Sequence, residues 1–380
     1  MHLADPDLLR TEGFLNGCWC QAADGSWMEV VNAASREAFA EVPRMGPTDA
    51  TRAIDAAATA LPSWKRLVAH ERGAVLRRWC GLVRESTEDL ARLITAEGGK
   101  PLAEARGEVA YAASFLEWFA EEARRAYGDV IPPHHADKRL LVLRQPVGVA
   151  AAITPWNFPA AMIARKAAAA LAAGCTMVVK PAPQTPLTAL ALAALAERAG
   201  LPAGVLNVIP SDAATSPAIG ETLCRSTTVR ALSFTGSTAA GTRLAAQAAA
   251  TVKKVSLELG GNAPFIVFAD ADLEAAVDGA VAAKFRNAGQ TCICANRFYV
   301  QAAVAEAFAQ QLAERIAGLR VGPGDAEDVA IGPLIDERGL AKVEQHVADA
   351  QACGGTLLLG GSRHALGGTF FEPTVIAGAT

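Results

Sequence analysis

The sequence lacks any apolar run long enough to cross a bilayer. The longest one, 167–173, is alanine-rich and directly follows Arg165-Lys166, whereas a membrane-spanning helix needs about 20 apolar residues. The first residues also lack a basic start, an apolar centre and a small-residue cleavage site. We therefore expect no secretory signal, no membrane partner and a cytoplasmic location.

A large excess of charge and a set of clustered metal ligands are also missing. The 380 residues carry a formal net charge of −4, which gives no reason to expect a nucleic-acid partner. The 8 cysteines are scattered except for Cys18 with Cys20 and Cys292 with Cys294. Neither pair has the second Cys/His cluster that a structural zinc site requires, so we expect no metal and mostly free thiols.

Short β-rich runs alternate with longer helical runs from about Val147 onward, after a largely helical region at about 48–126. This alternation predicts an α/β fold with a mostly parallel sheet and helices on its faces. Thr185 and Pro186 are predicted to cap and open one of these helices. The predicted strands lie at 147–152, 175–180, 204–209, 230–236, 253–261 and 264–268.

Four strand-to-helix loops should meet at one edge of that sheet, because the carboxyl ends of parallel strands lie together. They are TPWNFP (154–159), KPAPQTP (180–186), FTGST (234–238) and ELGG (258–261). We expect these loops to form one ligand-binding crevice.

Two cysteines one residue apart follow a glycine in GQTCICANR (289–297). Gly289 permits close approach of the backbone to a ligand, and a thiol in a loop lined by N–H groups can act as a nucleophile. A small core-filling thiol is the ordinary alternative. In an extended segment Cys292 and Cys294 would point to the same side, so a reversible regulatory disulfide between them is a further hypothesis.

Three polar residues near strand ends are candidates for other roles. Glu258 ends an otherwise apolar strand, where burial is costly without a purpose, and it suits either a general base or a salt bridge. Asn157, held between prolines, can donate to an oxyanion or cap a turn. Lys180 ends a buried strand and is better explained by a ligand than by packing. FTGST offers a weak phosphate cradle at a helix N-terminus.

In this order, TPWNFP, VVKPAPQTP, FTGST, LELGGNAP and GQTCICANR resemble the aldehyde dehydrogenase superfamily, and the likeness runs from GFLNG near residue 13 to FFEPTVI at 370–376. EGGKPLAEARGEVAY, KFRNAGQTCICANR and IGPLIDER are most similar to its succinate-semialdehyde branch. The resemblance implies a Rossmann-type NAD(P)-binding domain at 1–128 and 147–255. It also implies a bridging or oligomerisation segment at 129–146 and an α/β catalytic domain at 256–380.

The same resemblance assigns chemistry to individual residues. Cys292 would attack the aldehyde, Asn157 and the Cys292 N–H would hold the oxyanion, and Glu258 would activate water. Arg165 and Arg286 would bind a carboxylate at the far end of the substrate, a task suited to guanidinium, with a structural ion pair as the alternative. The residues that it places against the cofactor, NADP or NAD, are Thr154, Pro155, Trp156, Lys180, Pro183, Gly236, Ser237 and Leu259.

The implied activity is oxidation of succinate semialdehyde, or of a close relative such as glutarate semialdehyde, by a homo-oligomer (a dimer or tetramer). Pro183 offers neither a donor nor a charge, so the choice between NADP and NAD stays open. Family members continue past FFEPTVI, so we expect a catalytic domain truncated at its C-terminus. An inactive nucleotide-binding relative and a cofactor-independent thiol esterase are the rival hypotheses.

Overall fold

The elements of the computed structural model, which describes residues 2–379, follow the predicted alternation of strands and helices. The strands are β1 Gly13–Leu15, β2 Cys18–Cys20, β3 Trp27–Val31, β4 Ala38–Pro43, β5 Asp129–Ile131, β6 Leu140–Val142, β7 Val149–Ile153, β8 Thr176–Lys180, β9 Leu206–Val208, β10 Val229–Thr235, β11 Lys254–Glu258, β12 Ala263–Val267, β13 Ala295–Val300, β14 Thr356–Leu359 and β15 Val375–Ala377. The helices are α1 Pro47–Arg66, α2 Ala69–Glu85, α3 Thr87–Gly98, α4 Leu102–Glu122, α5 Pro159–Ala172, α6 Pro186–Arg198, α7 Ser216–Arg225, α8 Thr238–Ala249, α9 Leu273–Phe285, α10 Ala302–Ala317 and α11 Glu337–Ala352.

One seven-stranded sheet organises the first two thirds of the chain, in the order β11-β10-β7-β8-β9-β1-β2. The strands β7 to β11 run parallel to their neighbours, while β1 pairs antiparallel with β9 and β2. The carboxyl ends of the parallel strands therefore share one edge of the sheet. The predicted α/β class and mostly parallel sheet are confirmed.

The central strands are buried on both faces, which explains their continuous apolar runs. In β8, Met177 and Val179 belong to one core cluster and Val178 to another, as alternation along a strand requires. The first cluster packs β8 against α2 to α6, and the second packs it against α1, α7 and α8. Within residues 2–379, no helix combines the length and hydropathy needed to cross a bilayer.

The remaining strands form two-stranded sheets: β12-β13, β14-β15, β3-β4 and β5-β6. The parallel pair β12-β13 packs with α9 and α10 around Val267, Val277 and Phe308. Because β11 belongs to the seven-stranded sheet, the boundary predicted at 255/256 falls inside a strand. The hairpin β5-β6 occupies the predicted excursion at 129–146 and exposes Val130 and Leu141. The division into domains and the role of this hairpin stay predictions.

Thr185 is the N-cap residue of α6 and Pro186 its first residue, as predicted, but the Thr185 side chain makes no capping hydrogen bond. The Thr185 hydroxyl is buried without a partner. The carboxylate of Glu97, at the end of α3, instead accepts the backbone N–H groups of Leu187 at 2.5 Å and Thr188 at 2.9 Å. The capping group is thus supplied from another helix about ninety residues earlier in the chain.

Candidate active site

The loops predicted to meet at the sheet edge line two cavities there. One, of about 520 Å³, is lined by TPWNFP, FTGST and ELGG together with Gly289–Ile293 of the cysteine loop and by residues near Ile335. The other, of about 490 Å³, is lined by residues of KPAPQTP and by FTGST. We call the first the cysteine cavity and the second, which contains Lys180, the lysine cavity. Ser237 of FTGST lines both, so the two cavities adjoin at this loop.

The cysteine loop turns sharply and is not extended as predicted. The backbone N–H of Cys294 donates to Thr291 O at 3.2 Å, which places Cys292 and Ile293 at the corner of a turn. Cys292 is exposed on the cavity wall, whereas Cys294 is buried and its thiol donates to Lys284 O at 3.3 Å. The two thiols therefore differ in environment, and a disulfide between them, which stays a prediction, would require this turn to open.

The turn follows three consecutive residues with left-handed backbone, which redirect the chain after α9. Asn287, Ala288 and Gly289 have φ values of 53°, 54° and 76°, and for the two non-glycine residues this conformation costs roughly 1–2 kcal/mol each. The buried N–H of Asn287 donates to the Glu104 carboxylate at 2.7 Å, which compensates part of that cost. A Cβ at Gly261 would lie 2.6 Å from Cys292 O, so ELGG passes directly against the cysteine backbone.

Asn157 is joined to the cysteine loop by its side chain. Its side-chain amide N–H donates to the backbone carbonyl of Gln290 at 2.9 Å. The backbone carbonyl of Asn157 accepts from Lys100 Nζ at 2.8 Å and from Asn287 Nδ2 at 3.3 Å. The amide group has two N–H bonds, so one remains for an acceptor in the cavity. The side chain therefore faces the cysteine loop and caps no local turn.

Glu258 is half exposed, so the prediction that it is buried is wrong. The reason is topological: β11 is the edge strand of the sheet, and no further strand covers its outer side within residues 2–379. The Glu258 carboxylate lies 3.7 Å from the guanidinium of Arg165, which is the salt-bridge alternative considered above. Both groups line the cavity that contains Cys292.

The two predicted anion-binding arginines line that same cavity and each lies against an aromatic ring. The Arg165 guanidinium lies 5.7 Å from the ring centre of Phe115, and that of Arg286 lies 4.7 Å from the ring centre of Phe158. Such contacts hold a guanidinium without neutralising it. Two cations facing one cavity suit a ligand with a negative charge.

The second cavity is suited to an anionic ligand with several acceptors. Lys180 is 3% exposed, and the one hydrogen bond of its ammonium group among the described residues is to Pro181 O at 3.0 Å. Burial lowers the pKa of Lys180 to about 8. The hydroxyl of Thr235, which lines the adjacent cysteine cavity, is also buried without a partner. These unsatisfied donors fit a dinucleotide, whose phosphates and ribose hydroxyls supply acceptors.

All the other residues predicted to contact the cofactor, except Thr154, line these two cavities. Pro183 and Ser237 line the lysine cavity, and Ser237 caps α8. Thr154 hydrogen-bonds through its N–H to Lys180 O at 3.1 Å. The remaining four, which line the cysteine cavity, are Pro155, Trp156, Gly236 and Leu259. Within residues 2–379, no three His, Cys, Asp or Glu side chains cluster as a metal site would.

Sequence reasoning missed several buried charged groups around the cysteine cavity. Lys166 donates to Ser233 Oγ at 2.8 Å, and burial lowers its pKa to about 8. Lys100 pairs with Glu108 in the interior beneath TPWNFP, and Glu104 binds the cysteine loop. Their positions within amphipathic helices gave no local signal, because ordinary helices also carry such charges on exposed faces.

Comparison with known proteins agrees with this arrangement. The model of the aldehyde dehydrogenase family matches residues 19–380. The succinate-semialdehyde dehydrogenase (NADP+) GabD of Escherichia coli (strain K12) is 58% identical over 376 residues, which cover 99% of this chain and 77% of that protein. The glutarate-semialdehyde dehydrogenase of Pseudomonas aeruginosa (strain PAO1) is 57% identical with the same coverage.

A solved structure gives the same result for the fold. The crystal structure of an Escherichia coli NADP-dependent enzyme superposes with a TM-score of 0.98 at 57% identity and covers 100% of this chain and 78% of that one. The family resemblance and the fold predicted from the ordered motifs are therefore confirmed.

Proposed function

The chain belongs to the aldehyde dehydrogenase family, and we propose that it oxidises succinate semialdehyde to succinate with NADP or NAD. The observation that carries this proposal is the single cavity that holds Cys292, Glu258 and Asn157 together with Arg165 and Arg286. A nucleophile, a base and an oxyanion donor suit aldehyde oxidation, and the two arginines suit a substrate with a distal carboxylate.

In the first step the Cys292 thiolate forms a C–S bond to the aldehyde carbon, and the carbonyl oxygen becomes an oxyanion. The free N–H of the Asn157 amide and the backbone N–H of Cys292 donate to this oxygen. The bond from Asn157 to Gln290 O fixes the amide before substrate arrives, and such preorganised donors stabilise the charge that develops in the transition state.

The cofactor would be held by Lys180, Ser237 and Pro183 in the lysine cavity, beside Pro155, Trp156, Gly236 and Leu259. The chemistry that it supplies when bound is acceptance of a hydride from the substrate carbon. The substrate would then be bound to the Cys292 sulfur as a thioester. Oxidation through this covalent intermediate divides one difficult reaction into two easier steps.

In the last step Glu258 takes a proton from a water molecule whose oxygen attacks the thioester carbon. The C–S bond breaks, Cys292 leaves as a thiolate and the acid is released. The exposure of Glu258 to the cavity gives water direct access to its carboxylate. A general base of this kind contributes typically 10²–10⁴-fold to a rate.

Glutarate semialdehyde is the second candidate substrate, because a relative of that printed name is 57% identical to this chain. It is one methylene longer and would use the same arginines. A single methylene in a pocket changes specificity by only about 10–200-fold, so we expect both aldehydes to be oxidised, at different efficiencies.

The deciding experiment is a substrate and cofactor panel that follows formation of reduced cofactor. We expect turnover of succinate and glutarate semialdehyde, much weaker turnover of butanal, which lacks the carboxylate, and none in Cys292→Ala. Butanal as the preferred substrate would contradict the anion site. Cofactor binding without turnover would favour the inactive relative, and hydrolysis of nitrophenyl esters as the only activity would favour the esterase.

The proposal includes a cytoplasmic homo-oligomer, a dimer or tetramer, with the hairpin β5-β6 in the interface. The hairpin and the residue after it expose the apolar side chains of Val130, Leu141 and Leu143, and exposed apolar surfaces mark interaction sites. Analytical ultracentrifugation of the parent and of Leu141→Asp tests this, and the variant is expected to sediment as a smaller species. An unchanged sedimentation coefficient would exclude the hairpin from the interface.

A further inference from the structure

Three buried charged residues, Lys100, Glu104 and Glu108, lie beneath the cysteine cavity and end on the backbone of its two loops. We propose that they are positioning residues, which fix Asn157 relative to the Cys292 loop and so set the geometry of the oxyanion site. The inference rests on the proposed function, because it concerns the donor that the mechanism assigns to Asn157.

Lys100 holds the loop at Asn157. Its side chain is buried, its ammonium group contacts the Glu108 carboxylate and also donates to Asn157 O at 2.8 Å. The same ammonium group lies 3.8 Å from the ring centre of Phe158. Burial lowers the pKa of Lys100, while the adjacent Glu108 opposes that shift.

Glu108 holds the chain immediately after Asn157. One of its carboxylate oxygens contacts Lys100, and the other accepts the N–H groups of Ala160 at 2.9 Å and Ala161 at 3.3 Å, in the first turn of α5. An anionic acceptor at a helix N-terminus satisfies donors that have no partner within the helix. The Lys100–Glu108 pair therefore holds the backbone at Asn157 and at the start of α5.

Glu104 holds the other loop. It lies one turn before Glu108, so both carboxylates project from the same face of α4. Its carboxylate accepts the N–H of Asn287 at 2.7 Å, and the Asn287 amide donates to Asn157 O at 3.3 Å and to Gln290 O at 3.4 Å. One face of α4 thus connects the loop of the oxyanion donor to the loop of the nucleophile.

A role in stability alone explains this arrangement poorly. A buried ion pair is weak evidence for stability, because removing charges from water offsets most of their attraction. These three side chains end on the backbone of the two loops at Asn157 and Asn287 and of the first turn of α5 at Ala160, where a shift of about 1 Å can reduce a catalytic rate by about 10²-fold.

The test is a double-mutant cycle between the pair and Asn157. The paired change Lys100→Met with Glu108→Gln removes both charges together, leaves an oxygen for the α5 N–H groups, and removes the donor to Asn157 O. We expect kcat to fall by about tenfold or more with KM within about twofold, because positioning acts on the transition state. In an Asn157→Ala background the same paired change is expected to lower kcat by less than about threefold.

If the paired change lowers kcat by the same factor in the parent and in Asn157→Ala, the pair acts independently of Asn157. That result would overturn the inference for Lys100 and Glu108. The matched control is Arg84→Met with Glu117→Gln, which removes an exposed ion pair of 2.8 Å on the opposite, solvent side of α4. That control is expected to keep the parental kcat.

A second readout needs no turnover and remains usable if the paired variant does not fold. Glu104→Leu removes the acceptor for Asn287 and is expected to change the rate of Cys292 alkylation by iodoacetamide, while Glu104→Gln keeps an acceptor and restores the parental rate. A parental alkylation rate in Glu104→Leu would overturn the coupling to the cysteine loop.

Failure of the proposed function is separately visible in the same experiments. A wrong substrate assignment appears as preference for another aldehyde in the parent, and the cycle is then run on that aldehyde. An Asn157→Ala variant with parental kcat overturns the oxyanion role and, with it, the Asn157 half of this inference, whereas alkylation of the Glu104 variants still decides the other half.

Discussion

The guanidinium of Arg165 lies 3.7 Å from the carboxylate of Glu258, so the proposed substrate anchor and the proposed base form an ion pair before substrate binds. The side chains are 43% and 51% exposed, and exposed pairs of this kind contribute little to stability because water screens them. A substrate carboxylate at Arg165 would compete with Glu258 for the guanidinium. We therefore expect a substrate carboxylate bound at Arg165 to free the Glu258 carboxylate from this ion pair.

Removing either arginine is expected to weaken binding of a carboxylate-bearing aldehyde. For Arg165→Ala and Arg286→Ala we predict a rise of about 10–100-fold in KM for succinate semialdehyde, since a charge-assisted hydrogen bond is worth about 1.5–3 kcal/mol. Steady-state kinetics on the two variants check this. For butanal, which has no carboxylate, KM should stay within about twofold of the parent. If neither variant raises KM for succinate semialdehyde, the anion site is wrong.

Lys180 is expected to make cofactor affinity depend on pH. Burial lowers the pKa of its ammonium group to about 8, so the free protein loses this positive charge as the pH rises through that value. Affinity for NADP should therefore decline above about pH 8, by up to tenfold per pH unit. The phosphate groups stay ionised throughout this window, since their second pKa is about 6.

NADPH fluorescence titrations at pH 7, 8 and 9 measure this effect. Lys180→Met should bind more weakly at pH 7 and show a flatter dependence on pH. A parent and a variant with parallel pH profiles would exclude Lys180 as the titrating group.

The two cysteines of GQTCICANR are expected to respond differently to peroxide. We predict that peroxide oxidises Cys292 and Cys294 together to a disulfide, with the oxidant reduced to water, and that dithiothreitol then restores activity. In Cys294→Ala the single thiol at Cys292 has no partner and oxidises further to forms that dithiothreitol does not reverse.

Recovery of activity after dithiothreitol is the measurement for this bridge. Because the turn between Thr291 and Cys294 must open first, we expect inactivation to take minutes or longer, the range of disulfide rearrangement. Equal recovery in the parent and in Cys294→Ala would exclude the disulfide.

The fold was predictable from the sequence because its signals are local. The run ending at Lys180 is apolar and bounded by Gly174 and by prolines, and the structure has a strand there. Helix α6 begins at Pro186, the residue predicted to open it. The ordered motifs also located Asn157 and Cys292, whose loops line one cavity.

The buried residues that hold the two loops of the site in place were not predictable, because their contacts join residues far apart in the chain. Lys100 reaches Asn157 over 57 positions and Glu104 reaches Asn287 over 183. The exposure of Glu258 depends on its strand being at the edge of the sheet, which alternation along a strand does not reveal. The bend at Asn287 and Ala288 was missed because neither residue is the glycine that such backbone favours.

Glu97 is expected to make the stability of the fold depend on pH. Burial raises the pKa of its carboxyl from 4.5 to about 8, although hydrogen bonds from Thr188 and Leu187 oppose this shift. Below about pH 4.5 the group is neutral in both the folded and the unfolded chain. Between pH 4.5 and 8 the unfolded chain loses the proton while the folded chain keeps it, so stability declines with rising pH, by at most about 1.4 kcal/mol per pH unit.

Replacing Glu97 by glutamine should remove this dependence while lowering stability overall. The amide has only one acceptor oxygen, so its –NH₂ must face the N–H of Leu187 or of Thr188, at a cost of roughly 1–3 kcal/mol. Urea unfolding of the parent and Glu97→Gln between pH 5.5 and 8.5 measures both effects, and the difference in unfolding free energy should narrow as the pH rises.

Glu88→Gln is the matched control for Glu97→Gln. Glu88 is an exposed carboxylate on the same helix whose pKa is lowered by its hydrogen bond to Arg106. A lowered pKa gives stability that is lost only as the pH falls through the acid range, so the difference between the parent and Glu88→Gln should stay constant above pH 5.5. If the parent and Glu97→Gln also differ by a constant amount across this range, Glu97 does not titrate there and its burial does not set the pH dependence of the fold.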